Sequence, residues 1–156
     1  MKMINMLSGT INGALVGSLM FCAWTAHASE NRIQVDQQKC LARNIYFEAR
    51  GESTQGQIAV AQVTMNRVHS SRYPNTICEV VYQRRQFSWT HTVRDQTPRD
   101  AEAWERAQHL AEQVIEEQVG DPTNGATHYH TRSVNPSWAR QLRRTVDIGV
   151  HRFYKQ

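Results

Sequence analysis

The stretch LARNIYFEARGESTQGQIAVAQVTMNRV, residues 41–68, contains the two strongest helix signals in this chain. At its start, Leu41 and Ile45 lie four residues apart, and Glu48 follows Ile45 by three. A helix over residues 37–50 therefore places these three side chains on one face. Glu48 thus occupies a position on an apolar stripe that normally belongs to a core residue.

The remainder of this stretch predicts a second helix. Gly51 is typical of the glycine that ends a helix at its C-terminus, so we expect the first helix to stop there. The segment QIAVAQVTMNRV, residues 57–68, is apolar on nearly every side. This pattern indicates a buried central helix.

Two further helices are predicted downstream. Residues 76–79, Thr-Ile-Cys-Glu, have the Thr-x-x-Glu form of a capping box, so a short third helix begins there. Thr97 followed by Pro98 predicts the N-cap and first turn of a fourth helix that continues up to Gly120. We expect Trp104 on this helix to be a core residue. The helical spacing is carried by Trp104, Ala107, Ala111, Val114 and Ile115.

Beyond the fourth helix the pattern changes to that of turns and strands. Residues 121–125, DPTNG, have turn chemistry, and residues 127–131, THYHT, are rich in strand formers. Residues 146–150 alternate apolar and small or polar side chains, as in a half-buried strand. We predict that the two segments pair in an antiparallel sheet. The expected fold is mainly α (α+β), a single domain with a small C-terminal β element.

The N-terminal segment differs from the rest of this 156-residue chain. Lys2 is its only charged residue, and a weakly apolar run over residues 11–26 leads into Ala-His-Ala at residues 26–28. A small-x-small tripeptide after such a run predicts a secretory signal peptide over residues 1–28, with residues 29–156 as the exported domain. The alternative is a membrane anchor, because the run approaches the ~20 residues that span a bilayer.

Export would affect both the charge and the cysteine content. Without residues 1–28 the chain has 128 residues, with 17 Lys and Arg against 14 Asp and Glu. This excess is too small for the basic stripe of a nucleic-acid binder, so we expect no nucleic-acid partner. Cys22 would be removed, and Cys40 and Cys78 would remain. An even pair in an oxidising compartment predicts a disulfide, with two free thiols as the alternative.

Glu48 is the candidate for acid chemistry. Burial disfavours the charged form of a carboxyl group and raises its pKa, which suits a general acid that works near neutral pH. The alternative is a structural glutamate neutralised by Arg43, Arg50 or Arg67. Glu52 is a candidate second carboxylate, since glycosidases usually use a pair, although the glycine between the two leaves their separation open.

Several strings in the chain resemble the signature of the spore-cortex-lytic type of cell wall hydrolases. The resemblance extends from Cys40 almost to the C-terminus. One difference is His-Thr-Val at residues 91–93, where that family has a Cys-Asp-Gly-like stretch. The matching strings are residues 41–68, YPNTICEVVYQ (73–83), QFSWT (86–90), DPTNGATHYH (121–130) and IGVHRFY (148–154).

This resemblance implies a fold similar to lysozyme and an activity on peptidoglycan. The glutamate of the family's E-A/S-R-G-E string acts as the acid, and it corresponds to Glu48. The implied reaction cleaves the glycan between N-acetylmuramic acid and N-acetylglucosamine, as a lytic transglycosylase or a muramidase. We expect a monomer without a cofactor or metal, located in the periplasm or secreted, with at most a transient membrane contact through its N-terminal segment.

Aromatic side chains are the candidates for binding the sugars. Flat rings with polar tips suit the faces of pyranose rings. We therefore predict that five residues line a sugar groove, namely Phe87, Trp89, Tyr129, His130 and Trp138.

Two other functions remain open from the sequence. His128 and His130 would share one face of a strand, and His151 could complete a zinc site, which would make the protein a zinc-dependent amidase acting on the lactyl-peptide bond. The histidines could equally be hydrogen-bonded residues of the groove or core. The other possibility is a peptidoglycan-binding module without catalysis.

Overall fold

The computed structural model describes the backbone of residues 17–156 and the side chains of residues 29–156. Residues 35–156 form one compact unit, and the described residues before residue 35 belong to a separate one. The predicted signal peptide, residues 1–28, lies outside the side chains described. The elements are α1 (Gly17–Ala49), α2 (Thr54–Val68), α3 (Ile77–Tyr82), α4 (Trp89–Thr92), α5 (Ala101–Ile115), β1 (His128–Thr131), a 3-10 helix (Ser137–Arg140), β2 (Arg143–Ile148) and β3 (His151–Lys155).

The first helix, α1, places its apolar stripe in the core as predicted. Leu41 and Ile45 are fully buried, and Glu48 follows on the same face, half-buried. The helix ends at Ala49, close to the predicted stop, but it begins at Gly17, well before the predicted start at residue 37. Within the described part of the chain, no helix is long and apolar enough to cross a membrane.

The second helix, α2, is the central one, and this prediction is confirmed. Ser53 caps its N-terminus by accepting a hydrogen bond from the Gly56 amide at 3.3 Å. Ala59, Val60 and Val63 are completely buried, because α2 contacts α3, α5 and β2. A helix enclosed in this way is shielded from solvent on most of its faces, which agrees with its apolar sequence.

The third helix, α3, is joined to α1 by the predicted disulfide. Thr76 caps α3 by accepting a hydrogen bond from the Glu79 amide at 3.3 Å, and its hydroxyl donates to the Glu79 carboxylate at 2.7 Å. Cys40 and Cys78 are bonded to each other, with their Cα atoms 5.2 Å apart. The bridge therefore fixes the C-terminal third of α1 against the start of α3.

The fourth predicted helix corresponds to α5, and both of its predicted ends are wrong. The N-cap is Asp100, whose carboxylate accepts a hydrogen bond from the Ala103 amide at 3.0 Å. Thr97 does not cap the helix. It lies in the preceding loop, where its amide donates a hydrogen bond to the Asp95 carboxylate at 3.0 Å. The helix ends at Ile115, and the left-handed backbone of Glu117 (φ 56°) follows, well before Gly120.

The fold ends in a three-stranded antiparallel sheet with the order β1-β3-β2. The first predicted segment corresponds to β1, whereas the second is strand only up to Ile148, and residues 149 and 150 form the turn before β3. The two strands do not pair with each other, because β3 lies between them. Gly149 explains the difference, since its positive φ of 56° turns the chain sharply and brings β3 back along β2. A mainly α fold with C-terminal strands is thus confirmed.

Candidate active site

A cleft of about 540 Å³ lies where the C-terminal end of α1 faces β1 and β3. Phe47 and Glu48 contribute from α1, Arg67 from α2, and Tyr129 from β1. Five residues of segment 85–92 also line the cleft, namely Arg85, Gln86, Ser88, Trp89 and Thr92. Glu48 is the one acidic side chain among the described residues that line the cleft.

The Glu48 carboxyl group is held by one specific hydrogen bond. The Tyr129 hydroxyl donates to Glu48 Oε2 at 2.9 Å. Burial raises the pKa of Glu48, and the Tyr129 hydrogen bond and the charge of Arg67 offset only part of this increase. Burial and the neighbouring Glu48 also raise the pKa of Tyr129 well above its ordinary value, so Tyr129 remains a neutral donor. The site therefore favours a protonated acid with a defined orientation.

Arg67 is the cation at the base of the cleft. Its side chain is 5% exposed, and its Nε donates to the Thr127 carbonyl at 2.8 Å. The guanidinium lies over the rings of Phe87 and Tyr73, at 5.2 and 5.5 Å from their centroids. Among the described residues, its Nη1 finds no hydrogen-bond partner. A buried, fixed cation here can stabilise the carboxylate that Glu48 becomes once it has given up its proton.

Trp89 forms a rigid wall of the cleft, because its indole is fixed from two sides. Its Nε1 donates to Asn44 Oδ1 at 3.1 Å, and Asn44 in turn donates to the Thr64 hydroxyl at 3.2 Å. Phe47 stacks on the indole with ring centroids 4.7 Å apart and an interplanar angle of 20°. Neither Asn44 nor Arg67 was predicted as a site residue, although Asn44 is a polar residue within the buried stripe of α1.

The comparisons with known proteins agree with this architecture. The sequence model of the family described as Cell Wall Hydrolase matches residues 51–154. The chain belongs to the cell wall hydrolase family. The spore cortex-lytic enzyme of Oceanobacillus iheyensis is 30% identical over 130 residues, which are 81% of this chain and 42% of that enzyme. The chain thus spans less than half the length of this curated relative.

Two solved structures are similar to this family member. The catalytic domain of the germination-specific lytic transglycosylase SleB from Bacillus anthracis matches with a TM-score of 0.63 at 31% identity, covering 76% of this chain and 93% of that domain. The catalytic domain of the Bacillus cereus SleB protein matches with a TM-score of 0.61 at 28% identity, covering 77% and 91%. The resemblance seen in the sequence is therefore confirmed at the level of fold and family.

Glu48 lies three residues before the span matched by the cell wall hydrolase model. Three arginines were candidates to neutralise it. Arg43 instead donates to the Tyr82 hydroxyl at 3.3 Å, and Arg50 donates to the carbonyl of Tyr46 at 3.3 Å. Only Arg67 of these three lines the cleft.

Glu52, the predicted second carboxylate, does not line the cleft. Its Oε2 accepts a hydrogen bond from the Val150 amide at 3.2 Å, and a Cβ added at Gly149 would collide with the same carboxylate. The Glu52 carbonyl accepts from the Gln57 side chain at 2.9 Å. Glu52 therefore holds the β2–β3 turn against the loop between α1 and α2. This geometry gives no support for a catalytic partnership with Glu48.

The five predicted sugar-binding residues separate into two groups. Trp89, Tyr129 and His130 line the cleft. Phe87 is not part of the lining, and its ring packs in the core against the Arg67 guanidinium. Trp138 also lies elsewhere. Its ring packs against His128, His130 and Tyr154 at centroid distances of 5.3, 5.6 and 5.5 Å.

The three histidines of the predicted zinc alternative do not converge. In the antiparallel register Thr131 lies opposite His151, so His151 shares a face with Thr131, whereas His128 and His130 point to the other face. Both ring nitrogens of His130 are also engaged, Nδ1 with the Thr131 carbonyl at 2.8 Å and Nε2 with the Tyr154 hydroxyl at 2.9 Å. Among residues 29–156, no three His, Cys, Asp or Glu groups lie close enough to hold a metal ion.

Proposed function

We propose that this chain cleaves the glycan strand of peptidoglycan between N-acetylmuramic acid and N-acetylglucosamine as a lytic transglycosylase. The observation that carries the proposal is Glu48, a half-buried acid with a raised pKa, and the one carboxylate among the described residues of the cleft. A hydrolase that activates water usually needs a second carboxylate beside the scissile bond. A transglycosylase needs only one, because the sugar supplies its own nucleophile.

The proposed reaction uses Glu48 twice. Protonated Glu48 gives its proton to the glycosidic oxygen, and the bond from that oxygen to C1 of the muramic acid breaks. The 6-hydroxyl of the same sugar attacks C1, and the Glu48 carboxylate takes its proton. The C1–O6 bond closes a 1,6-anhydro ring, no water is consumed, and Glu48 returns to its starting state.

The surrounding residues support both steps. The Tyr129 hydroxyl holds Oε2 of Glu48, and no hydrogen bond of the described residues engages Oε1, which is available to the substrate. The positive charge of Arg67 favours the carboxylate between the two proton transfers. The similarity to the domain named as a lytic transglycosylase from B. anthracis supports the same assignment.

The released products test this proposal directly. We expect soluble muropeptides that end in 1,6-anhydromuramic acid, identified by mass spectrometry of digests of purified peptidoglycan, at a rate that a chelator leaves unchanged. Reducing muramic acid ends would instead mean attack by water, as in a muramidase. Free stem peptides with loss of activity in chelator would indicate a zinc-dependent amidase, and binding without release would indicate a binding module.

We also propose that residues 1–28 are a signal peptide and that residues 29–156 act as a monomer in the periplasm or outside the cell. The disulfide between Cys40 and Cys78 supports this location, because such bonds persist in oxidising compartments. The proposed cleavage site lies within α1, so processing would leave this helix starting near Ser29. Intact-mass measurement of protein from a Gram-negative host should give a chain beginning at Ser29. A full-length chain in the membrane fraction would favour the anchor.

A further inference from the structure

A second cleft, of about 550 Å³, adjoins the catalytic cleft. Phe47 and Trp89, the stacked pair, line both. Two arginines, Arg50 and Arg99, line the second cleft but not the first. We call the second the adjoining cleft.

We propose that the adjoining cleft binds the stem peptide of peptidoglycan through its carboxylates, with Arg50 as the main anchor. This inference rests on the proposed function. The amino sugars of the glycan backbone carry no net charge where they are N-acetylated, so the anionic groups of the polymer are the carboxylates of its peptides. The stem peptide starts on the same muramic acid whose C1 reacts at Glu48, and it must therefore leave the catalytic cleft on one side.

The Arg50 guanidinium is oriented before any substrate arrives. One nitrogen donates to the Tyr46 carbonyl at 3.3 Å, and the group lies over the Tyr46 ring at 5.0 Å from its centroid. Guanidinium has five N–H donors in a planar fork, so most of them stay available in the cleft. A fixed fork binds a carboxylate with two hydrogen bonds and loses little side-chain entropy.

The adjoining cleft has a net positive charge, because its other two charged side chains, Arg99 and Asp95, offset each other. Arg99 pairs with Asp95 at 3.1 Å, and both side chains are largely exposed, 82% and 55% respectively. Hydrogen bonds from Thr97 and from Arg99 lower the pKa of Asp95 to about 2, so Asp95 is charged at any working pH. Of the described residues that line the adjoining cleft, Arg50 is thus the cation without a competing carboxylate, and Arg99 becomes a second anchor only when Asp95 releases it.

The comparison of two substrates tests this inference. Peptide-bearing glycan strands are compared with strands stripped of peptide by an amidase, which keep only the lactyl carboxylate of each muramic acid. Both are digested, and kcat/KM for anhydro ends is measured on each. We expect the unmodified protein to prefer peptide-bearing strands by about tenfold, the ratio that one charge-assisted carboxylate contact provides. Arg50→Gln should remove most of this preference. Arg106→Gln is the matched control, because Arg106 pairs with Glu102 on the exposed side of α5 and should keep the ratio.

Asp95→Asn gives a test in the opposite direction that does not depend on the folding of the Arg50 variant. Removal of this carboxylate frees Arg99, so the preference for peptide-bearing strands should increase by about two- to fivefold. Equal rates on both substrates, or a preference that survives Arg50→Gln, would overturn the inference while the proposed function stands. Absence of anhydro ends from both substrates would overturn the two together.

Discussion

Glu48→Gln is expected to lower the rate of glycan cleavage by about 10²–10⁴-fold, the usual contribution of general acid–base catalysis. Glutamine has nearly the same volume, and its amide oxygen can still accept the hydrogen bond from Tyr129. It has no proton to give to the leaving oxygen. Because the active form of Glu48 is protonated and burial raises its pKa, activity of the unmodified protein should fall as the pH rises through that raised pKa.

Glu52→Gln is the matched control for this variant. Glu52 accepts the Val150 amide and closes the loop that follows Glu48 in the chain, so its replacement acts on structure first. We expect Glu52→Gln to reduce activity less than Glu48→Gln and to lower the thermal midpoint more. Initial rates on purified peptidoglycan and thermal unfolding of both variants decide this. If Glu48→Gln kept more than about a tenth of the original activity, far above the expected loss, the catalytic assignment would be wrong.

The features of this fold that depend only on residues close together in the sequence could be predicted. The stripe of Leu41, Ile45 and Glu48 required only helical periodicity, and the Thr76 cap required only the Thr-x-x-Glu spacing. The start of α5 was mispredicted because the Tyr46 hydroxyl, over 50 positions earlier, accepts the amides of Arg99 and Asp100 at 3.1 Å. Local caps are visible in sequence, whereas such distant hydrogen bonds are not.

The candidate site shows the same limit. Glu48 could be predicted because an acid on an apolar stripe is itself a signal, but its surroundings could not. Arg43, Arg50 and Arg67 were equivalent candidates, and only the packing of α2 brings Arg67 to the cleft. His151 was predicted to join His128 and His130 from an expected pairing of two strands, yet the strand register puts it on the other face of the sheet. Successive side chains along a strand point to opposite faces of the sheet. One undetected strand therefore changes which side chains meet.

Loss of the disulfide between Cys40 and Cys78 has the second largest expected effect, a decrease in the stability of the folded protein. The disulfide closes a loop with a sequence separation of 38 residues. Constraint of the unfolded chain by a loop of this length is worth about 4 kcal/mol on the chain-entropy account, within a common range of ~2–4 kcal/mol. Reduction should therefore lower the thermal midpoint by about 15 °C for a domain of this size. Thermal unfolding with and without reductant measures the difference.

The double variant Cys40→Ala with Cys78→Ser separates the bridge from other effects of the reductant. It should unfold near the midpoint of the reduced protein, and reductant should leave it unchanged. Because Glu48 lies two helical turns beyond Cys40 on α1, loosening of that helix should also reduce activity at temperatures below the new midpoint. Equal midpoints for the oxidised and reduced protein would show that packing of Cys40 in the core, rather than the covalent bond, holds α1 against α3.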